Sequence, residues 1–445
     1  MKNLQSLCLR VSVARILRVA VRTGILQALL LLPGRAQPPS QQPEELLQQA
    51  DAALQKDDYA AASTALAAYL TQKPEDYRAK FNLALAYSMT GRQGEAIRLY
   101  QEILLQQADL IPARVNLGIL LLQQGNTAEA LEQFERVVAQ QPDHWVAQVN
   151  RAGALLALER NAEAAQAYQR ALELKPDHAP TQLAYGNLLA SSDPAAAEPH
   201  LRRALELDPS LEDAKLALAG VLEDRASSGA DTLPEAVTIY QQLLAAHPGQ
   251  TSLRIRLGEI YLHQKRYPDA IRELETVRGG GSKDESVNRA LLEAYLQAKA
   301  NDKALALLPE LLAQNPGDVD LHMLKGSLLM EKRQYPDAAA SFRRAIELAP
   351  QSPQGHTNLA SALYLMKDYE GTVAALAKVA ALGQDTAGSY FLRAISLDKL
   401  GMKAPAYDNY QMFLESDEKK NPDQEFQARQ RSVVLGRELR RSPRR

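Results

Sequence analysis

An all-α solenoid of about eleven two-helix repeats, closed by a C-terminal helix, is the fold class this sequence predicts, and three observations carry the prediction. The first is a column of small residues recurring about every 34 positions: Ala50, Ala84, Gly118, Ala152, Gly186, Ala219, Gly258, Leu292, Gly326, Ala360 and Ala394, all small except Leu292. The second is a pair of columns that follow it. One is alanine at 62, 96, 130, 164, 197, 236, 270, 304, 338 and 406, with Thr372 the exception; the other is large at Leu66, Tyr100, Phe134, Tyr168, Leu201, Tyr240, Leu274, Leu308, Phe342, Leu376 and Tyr410. Small beside large lets two helix backbones approach and interlock. The third is composition, with 46% hydrophobic residues but only 5% aromatic, which suits Ala/Leu-rich helix pairs and not an aromatic-lined sandwich. At 445 residues the chain exceeds one ordinary core, and an array accommodates that length.

Residues 1–36 contain no acidic side chain, carry Lys2, Arg10, Arg15, Arg18, Arg22 and Arg35, and lead through an apolar run at 24–32 to Gly34 and Ala36. That order predicts a signal peptide cleaved after Ala36 and a protein exported to the periplasm or beyond; a cytoplasmic chain with an N-terminal arm is the alternative. The run is too short for a membrane span, and none is expected in the mature chain. Residues 37–42 read as a linker. The only cysteine, Cys8, lies in the segment to be removed, so no disulfide framework is expected. With a formal net charge of -2 and no basic block over the body, nucleic acid is not an expected partner.

Repeats run from about Pro43 to Ser416. Pro74, Pro142, Pro176, Pro209, Pro248, Pro316 and Pro350 mark where second helices must stop, because proline cannot continue a helix. Pro234, Pro268 and Pro336 fall instead in the first turn of second helices, where a missing N–H is no loss. Two places break the period. Arg225 to Pro234 carries about five extra residues and is expected to protrude as a loop in repeat six. Gly279-Gly280-Gly281-Ser282 replaces a proline-type stop and divides the array into repeats one to seven (43–282) and eight to eleven (283–416). Residues 417–445 are expected to supply a capping helix, Asn421 to Arg441, and a basic tail.

The unit from Ile111 to His144 displays the pattern most fully, with Leu117-Gly118 in the first helix, Gly125-Asn126 in the turn, and Ala130, Phe134 and Val137 in the second. Its length and residue types closely resemble a tetratricopeptide repeat. The resemblance implies a right-handed superhelix whose first helices line a concave groove that takes a protein or peptide. Its groove positions are Phe81, Leu85, Val115, Ile119, Leu122, Val149 and Leu156 in repeats two to four, an apolar stripe. In repeats six to nine they include Ile255, Arg256, Glu259, Arg289 and Glu293, with Asp213, Glu223, Asp320 and Glu331, an acidic stretch interrupted by two arginines. Some members clamp a C-terminal carboxylate with Lys and Asn at such positions. Here repeat four holds Val149 and Gly153, so that mode is not expected.

Catalytic spacing is absent from the sequence. Gly279 to Lys283 lacks the order of a phosphate loop. The histidines at 144, 178, 200, 247, 263, 322 and 356 read as scattered surface residues rather than metal ligands, and Trp145 as a packing residue opening repeat four. The expectation is a non-enzymatic interaction scaffold without cofactor or metal. Its alternatives are a component of an envelope assembly or polysaccharide-export complex, and a regulatory subunit of a separate enzyme.

Overall fold

The computed structural model describes residues 42–418 and 420–441, and the expected signal peptide, most of the linker and the extreme tail lie outside them. The described residues form helices and turns, with no strand among them. They fall into two compact units that meet in sequence at Arg160 and Asn161.

The first unit contains α1 (Pro43–Leu54), α2 (Tyr59–Gln72), α3 (Tyr77–Met89), α4 (Gln93–Gln106), α5 (Ile111–Gln123), α6 (Thr127–Gln140) and α7 (Trp145–Ala157). The second contains α8 (Asn161–Leu174), α9 (Ala179–Ala190), α10 (Pro194–Leu207), α11 (Glu212–Ser227), α12 (Leu233–Ala246), α13 (Thr251–His263), α14 (Tyr267–Gly279) and α15 (Glu285–Gln297). It continues with α16 (Asn301–Gln314), α17 (Val319–Glu331), α18 (Tyr335–Leu348), α19 (Pro353–Leu365), α20 (Tyr369–Ala381), α21 (Ala387–Lys399), α22 (Lys403–Ser416) and α23 (Pro422–Arg441). This is an all-α solenoid of two-helix repeats with one further helix at the C-terminus.

Many of the first helices begin at a capping side chain. Asp76, His144, His178, Asp284, Asp318, Ser352 and Thr386 stand at the N-caps of first helices and accept hydrogen bonds from free backbone N–H groups of the opening turn. Between the helices of most repeats the chain turns through one left-handed residue, although repeat five turns at 191–193 without one. Gly91, Gly125 and Gly401 fill that place, but so do Asp57, Glu159, Lys265, Lys299, Arg333 and Lys367, at φ between 56° and 65°.

The three sequence columns are the core. Every residue of the alanine and large columns is buried, Thr372 included, and so is every residue of the small column, Leu292 included. Buried Thr372 satisfies its hydroxyl by donating to the carbonyl of Asp368 at 2.7 Å. Where the small residue is glycine, a methyl group would not fit: a Cβ on Gly118, Gly186 or Gly258 would lie 2.7 Å from Phe134, Leu201 or Leu274.

A further device holds successive repeats together. The fourth residue of a first helix reaches back six residues to a carbonyl in the turn that closes the preceding repeat. Gln148 donates to Pro142 at 2.8 Å, Gln182 to Pro176 at 2.9 Å and Arg254 to Pro248 at 3.2 Å. His322 donates to Pro316 at 3.1 Å and His356 to Pro350 at 3.0 Å. Buried Arg114 does the same to Ala108 and also donates to Gln133. Four of the seven histidines thus have local structural roles rather than being scattered surface groups: His144 and His178 cap helices, and His322 and His356 are junction donors.

The insertion in repeat six also differs from expectation. Of the stretch 225–234, expected to protrude as a loop with about five extra residues, Arg225, Ala226 and Ser227 instead prolong α11, and the irregular turn is 228–232. The reason is that Arg225 gains an ion pair with Glu198, and Thr232 closes the turn by donating to the carbonyl of Leu222 at 2.5 Å. The triple glycine does stop a helix: α14 ends at Gly279, and Gly281 turns the chain with a φ of 92°. Leu274 and Val277 before it nevertheless share a hydrophobic cluster with Val287, Leu291 and Tyr295 after it.

Candidate functional site

First helices of consecutive repeats touch one another within each unit, α5 against α7 in the first and α13 against α15 in the second. Residues one turn apart on these helices therefore form a column that crosses repeats. In the first unit the column is apolar. Phe81 and Leu85 on α3, Ile119 and Leu122 on α5, and Val149 and Leu156 on α7 are all half-buried, while Val115 is only 7% exposed and belongs to the core. Phe81 meets the buried ring of Tyr100 edge-to-face, with centroids 5.5 Å apart. Burial pushes the Tyr100 phenol up to about 12, so it stays protonated, and its oxygen accepts a hydrogen bond from Asn116 at 3.1 Å. Phe81 is thus tied into the packing between the two helices of repeat two, and Asn116 joins that packing to repeat three.

Sequence reasoning passed over a neighbouring column. Asn82, Asn116 and Asn150 follow Phe81, Val115 and Val149 directly and are half-buried. Asn150 donates to its own helix at the carbonyl of Val146, at 2.7 Å. The 34-residue spacing of three asparagines was the available signal.

In the second unit the column is less acidic than the sequence suggests, because its arginines already hold carboxylates. Arg256 donates to Glu223 at 2.8 Å and lies 3.6 Å from Glu259. Glu223 also accepts from the Tyr240 hydroxyl at 3.3 Å, and burial, then the Glu223 charge, raises the Tyr240 phenol. Burial works against the charge on Arg256, but Glu223 and then Tyr240 favour it, and the guanidinium is held above its ordinary value. Arg289 pairs with Glu285 at 2.7 Å and with Asp318 at 3.0 Å. Ile255 is half-buried between these charges, and Glu293 is exposed. Glu331 accepts from Asn301 at 2.6 Å.

Among the described residues no group of three or more His, Cys, Asp or Glu side chains is placed to hold a metal ion, and no helix is long and apolar enough to cross a membrane. Trp145 is half-buried at the first position of α7, beside the shallow hollow formed by residues 141–146. What the two columns offer chemically is surface: partly exposed aliphatic groups flanked by amides in one unit, and salt-bridged charges around aliphatic groups in the other.

A tetratricopeptide repeat profile matches residues 47–110, 115–179, 289–353 and 323–390, and a second matches 229–291; the first alone spans more than half of the chain. Human protein O-mannosyl-transferase TMTC1 is 26% identical over 139 residues, 30% of this chain and 16% of that protein, so the chain spans only a small part of the relative's length. Among solved structures, a MamA fragment from Desulfovibrio magneticus RS-1 is 20% identical, with 40% of this chain and 99% of that one covered and a TM-score of 0.37. Yeast Tom70 is 14% identical, with 89% and 96% covered and a TM-score of 0.31. With its period built into interlocked helix pairs and the profile matched over more than half of its length, the chain belongs to the tetratricopeptide repeat family.

Proposed function

We propose that the protein is a non-enzymatic scaffold that binds an extended or helical protein segment along its first helices. The observation that carries this reading is the recurrence of half-buried aliphatic residues, Ile119, Leu122, Val149 and Leu156, across successive first helices of one unit. A column that repeats with the array suits a ligand running along it, and part of each side chain remains open to contact. The asparagines beside it add donors and acceptors for a peptide backbone. In the second unit, Glu259 and Glu293 favour a basic stretch, with salt-dependent association rate as the signature of such rim charges.

The test is site-specific photocrosslinking in the native host. A photoreactive residue at Ile119 or Leu156 should capture a defined partner, whereas one at Arg98 or Glu132, exposed on second helices, should not. Capture only from the second-helix positions would overturn the reading. We further propose export directed by residues 1–36. Protein recovered from an envelope or extracellular fraction should then begin at or near Gln37, and protein retained in the cytosol with Met1 in place would refute it.

A further inference from the structure

The C-terminal helix has two faces with different fates. Toward the array, α23 buries Ala428, Ser432 and Leu435 against the cluster that contains Phe391, Tyr410 and Phe413. Its flanks are also engaged: Arg431 donates to Asp398 at 2.8 Å, and Lys403 pairs with Glu438 at 3.1 Å. The opposite face carries the stripe Asp423, Phe426, Gln430, Val433, Val434 and Arg437, all exposed. Phe426 is 65% exposed and Val433 52%. Steps of three and four residues place these side chains along one line of the helix, the spacing of a helix-pairing seam. Asp423 and Arg437 form no ion pair among the described residues.

The order of groups along the stripe selects its occupant. Reading outward from Gln430, Phe426 and Val434 stand four residues away on either side, and Asp423 and Arg437 stand seven away. A two-fold axis through Gln430 would therefore set Phe426 of one copy against Val434 of the other, and Asp423 against Arg437, twice over. This is the self-complementarity that an isologous contact requires. It holds only for antiparallel helices. A parallel pair would oppose Asp423 to itself and Arg437 to itself, whereas the antiparallel pair also opposes the helix dipoles favourably.

We propose that the exposed face of α23 is a homodimerisation surface, on which a second copy of the chain pairs antiparallel about Gln430. Burial of one helix stripe per copy makes the dimer a weak, concentration-dependent one. Its apolar centre of Phe426, Val433 and Val434 supplies the attraction, and the Asp423–Arg437 pairs fix direction and register.

Sedimentation equilibrium of the full chain tests this. The parent chain should show a monomer–dimer equilibrium. Asp423→Arg and Arg437→Asp should each weaken association by at least about tenfold, since each opposes like charges twice across the axis, and combining them should restore most of it. That rescue distinguishes pairing from mere damage to the helix, and thermal melts of each variant would report such damage separately. In a Cys8→Ser background, Gln430→Cys should form a covalent dimer on oxidation. A chain that stays monomeric at every concentration, including one that instead sediments with vesicles of anionic lipid, overturns the proposal. So does a dimer that neither charge reversal weakens.

Discussion

At the residue scale the margin inside a repeat is one methyl group. Gly118 lies under the ring of Phe134, where a Cβ would stand 2.7 Å from two ring carbons, and Gly326 is in closer contact still with Phe342. Both rings are buried, so neither can swing out into solvent without leaving the core. Gly118→Ala and Gly326→Ala should therefore destabilise by about 1–3 kcal/mol each, the usual cost of overpacking a close-fitted core. Gly94→Ala, where nothing lies within 4 Å of the new Cβ, is the control and should leave chemical denaturation unchanged or slightly later. Equal midpoints for all three variants would show that the rings can yield. The small, alanine and large columns were legible in the sequence because burial repeats with the period and side-chain size is written in the residue names. The fourth-position donors were not. Arg114, Gln148, Arg254 and His356 share no size or charge class; they share only the reach to a carbonyl six residues back, and that appears once the turn is built. The column along the first helices was legible as a spacing but not as a state. Spacing alone does not reveal that Val115 is buried or that Arg256 and Arg289 already hold the carboxylates around them.

At the scale of elements, the junction between α14 and α15 departs most from its neighbours. It has no proline carbonyl to be stapled, and the residue at the fourth place of α15, Asn288, donates instead to Glu310 at 3.1 Å. Two charged clusters span the glycines in its place: Arg278 with Glu310 at 2.7 Å, and Lys303 with Tyr295 around Glu275. The three glycines are not equivalent. Gly279 closes α14 with open space around it, so Gly279→Ala should stabilise by up to about 1 kcal/mol through helix propensity. Gly281 has a φ of 92°, and Gly281→Ala should destabilise by about 1 kcal/mol or more. Replacing both should thus nearly cancel in the melting temperature. Acid should act here as well. Hydrogen bonds from Lys303 and Tyr295 hold the Glu275 carboxyl below the ordinary glutamate value of 4.5, and those from Arg278 and Asn288 do so for Glu310. Folded chains therefore bind fewer protons than unfolded ones, and this stabilisation is complete above about pH 4.5 and lost as pH falls through the lowered values. Amide exchange around 276–288 should accelerate below that pH before the rest of the second unit responds. Uniform acceleration along the unit would show that the junction is no weaker than its neighbours.

At the scale of the whole molecule, an array in which each repeat contacts mainly its neighbours is stabilised locally, so damage at one end should remain at that end. The C-terminal helix makes this measurable. Asp417, itself buried, accepts from the backbone N–H of Asn421 at 2.9 Å and so fixes the turn that brings α23 back onto α22. There Leu435 and Ala428 cover Phe413 and Tyr410. Ending the chain at Ser416 removes that cover. Loss of the buried Leu435 side chain alone should cost about 1.5–3 kcal/mol, and the uncovered aromatic surface should promote association. The expected outcome is lower solubility, with amide protection lost over α21 and α22 and retained through α2 to α6 of the first unit. Loss spread evenly over both units would mean that the array unfolds as one cooperative block. Unchanged protection in α22 would mean that the last repeat needs no cover, and that α23 serves its outer face alone.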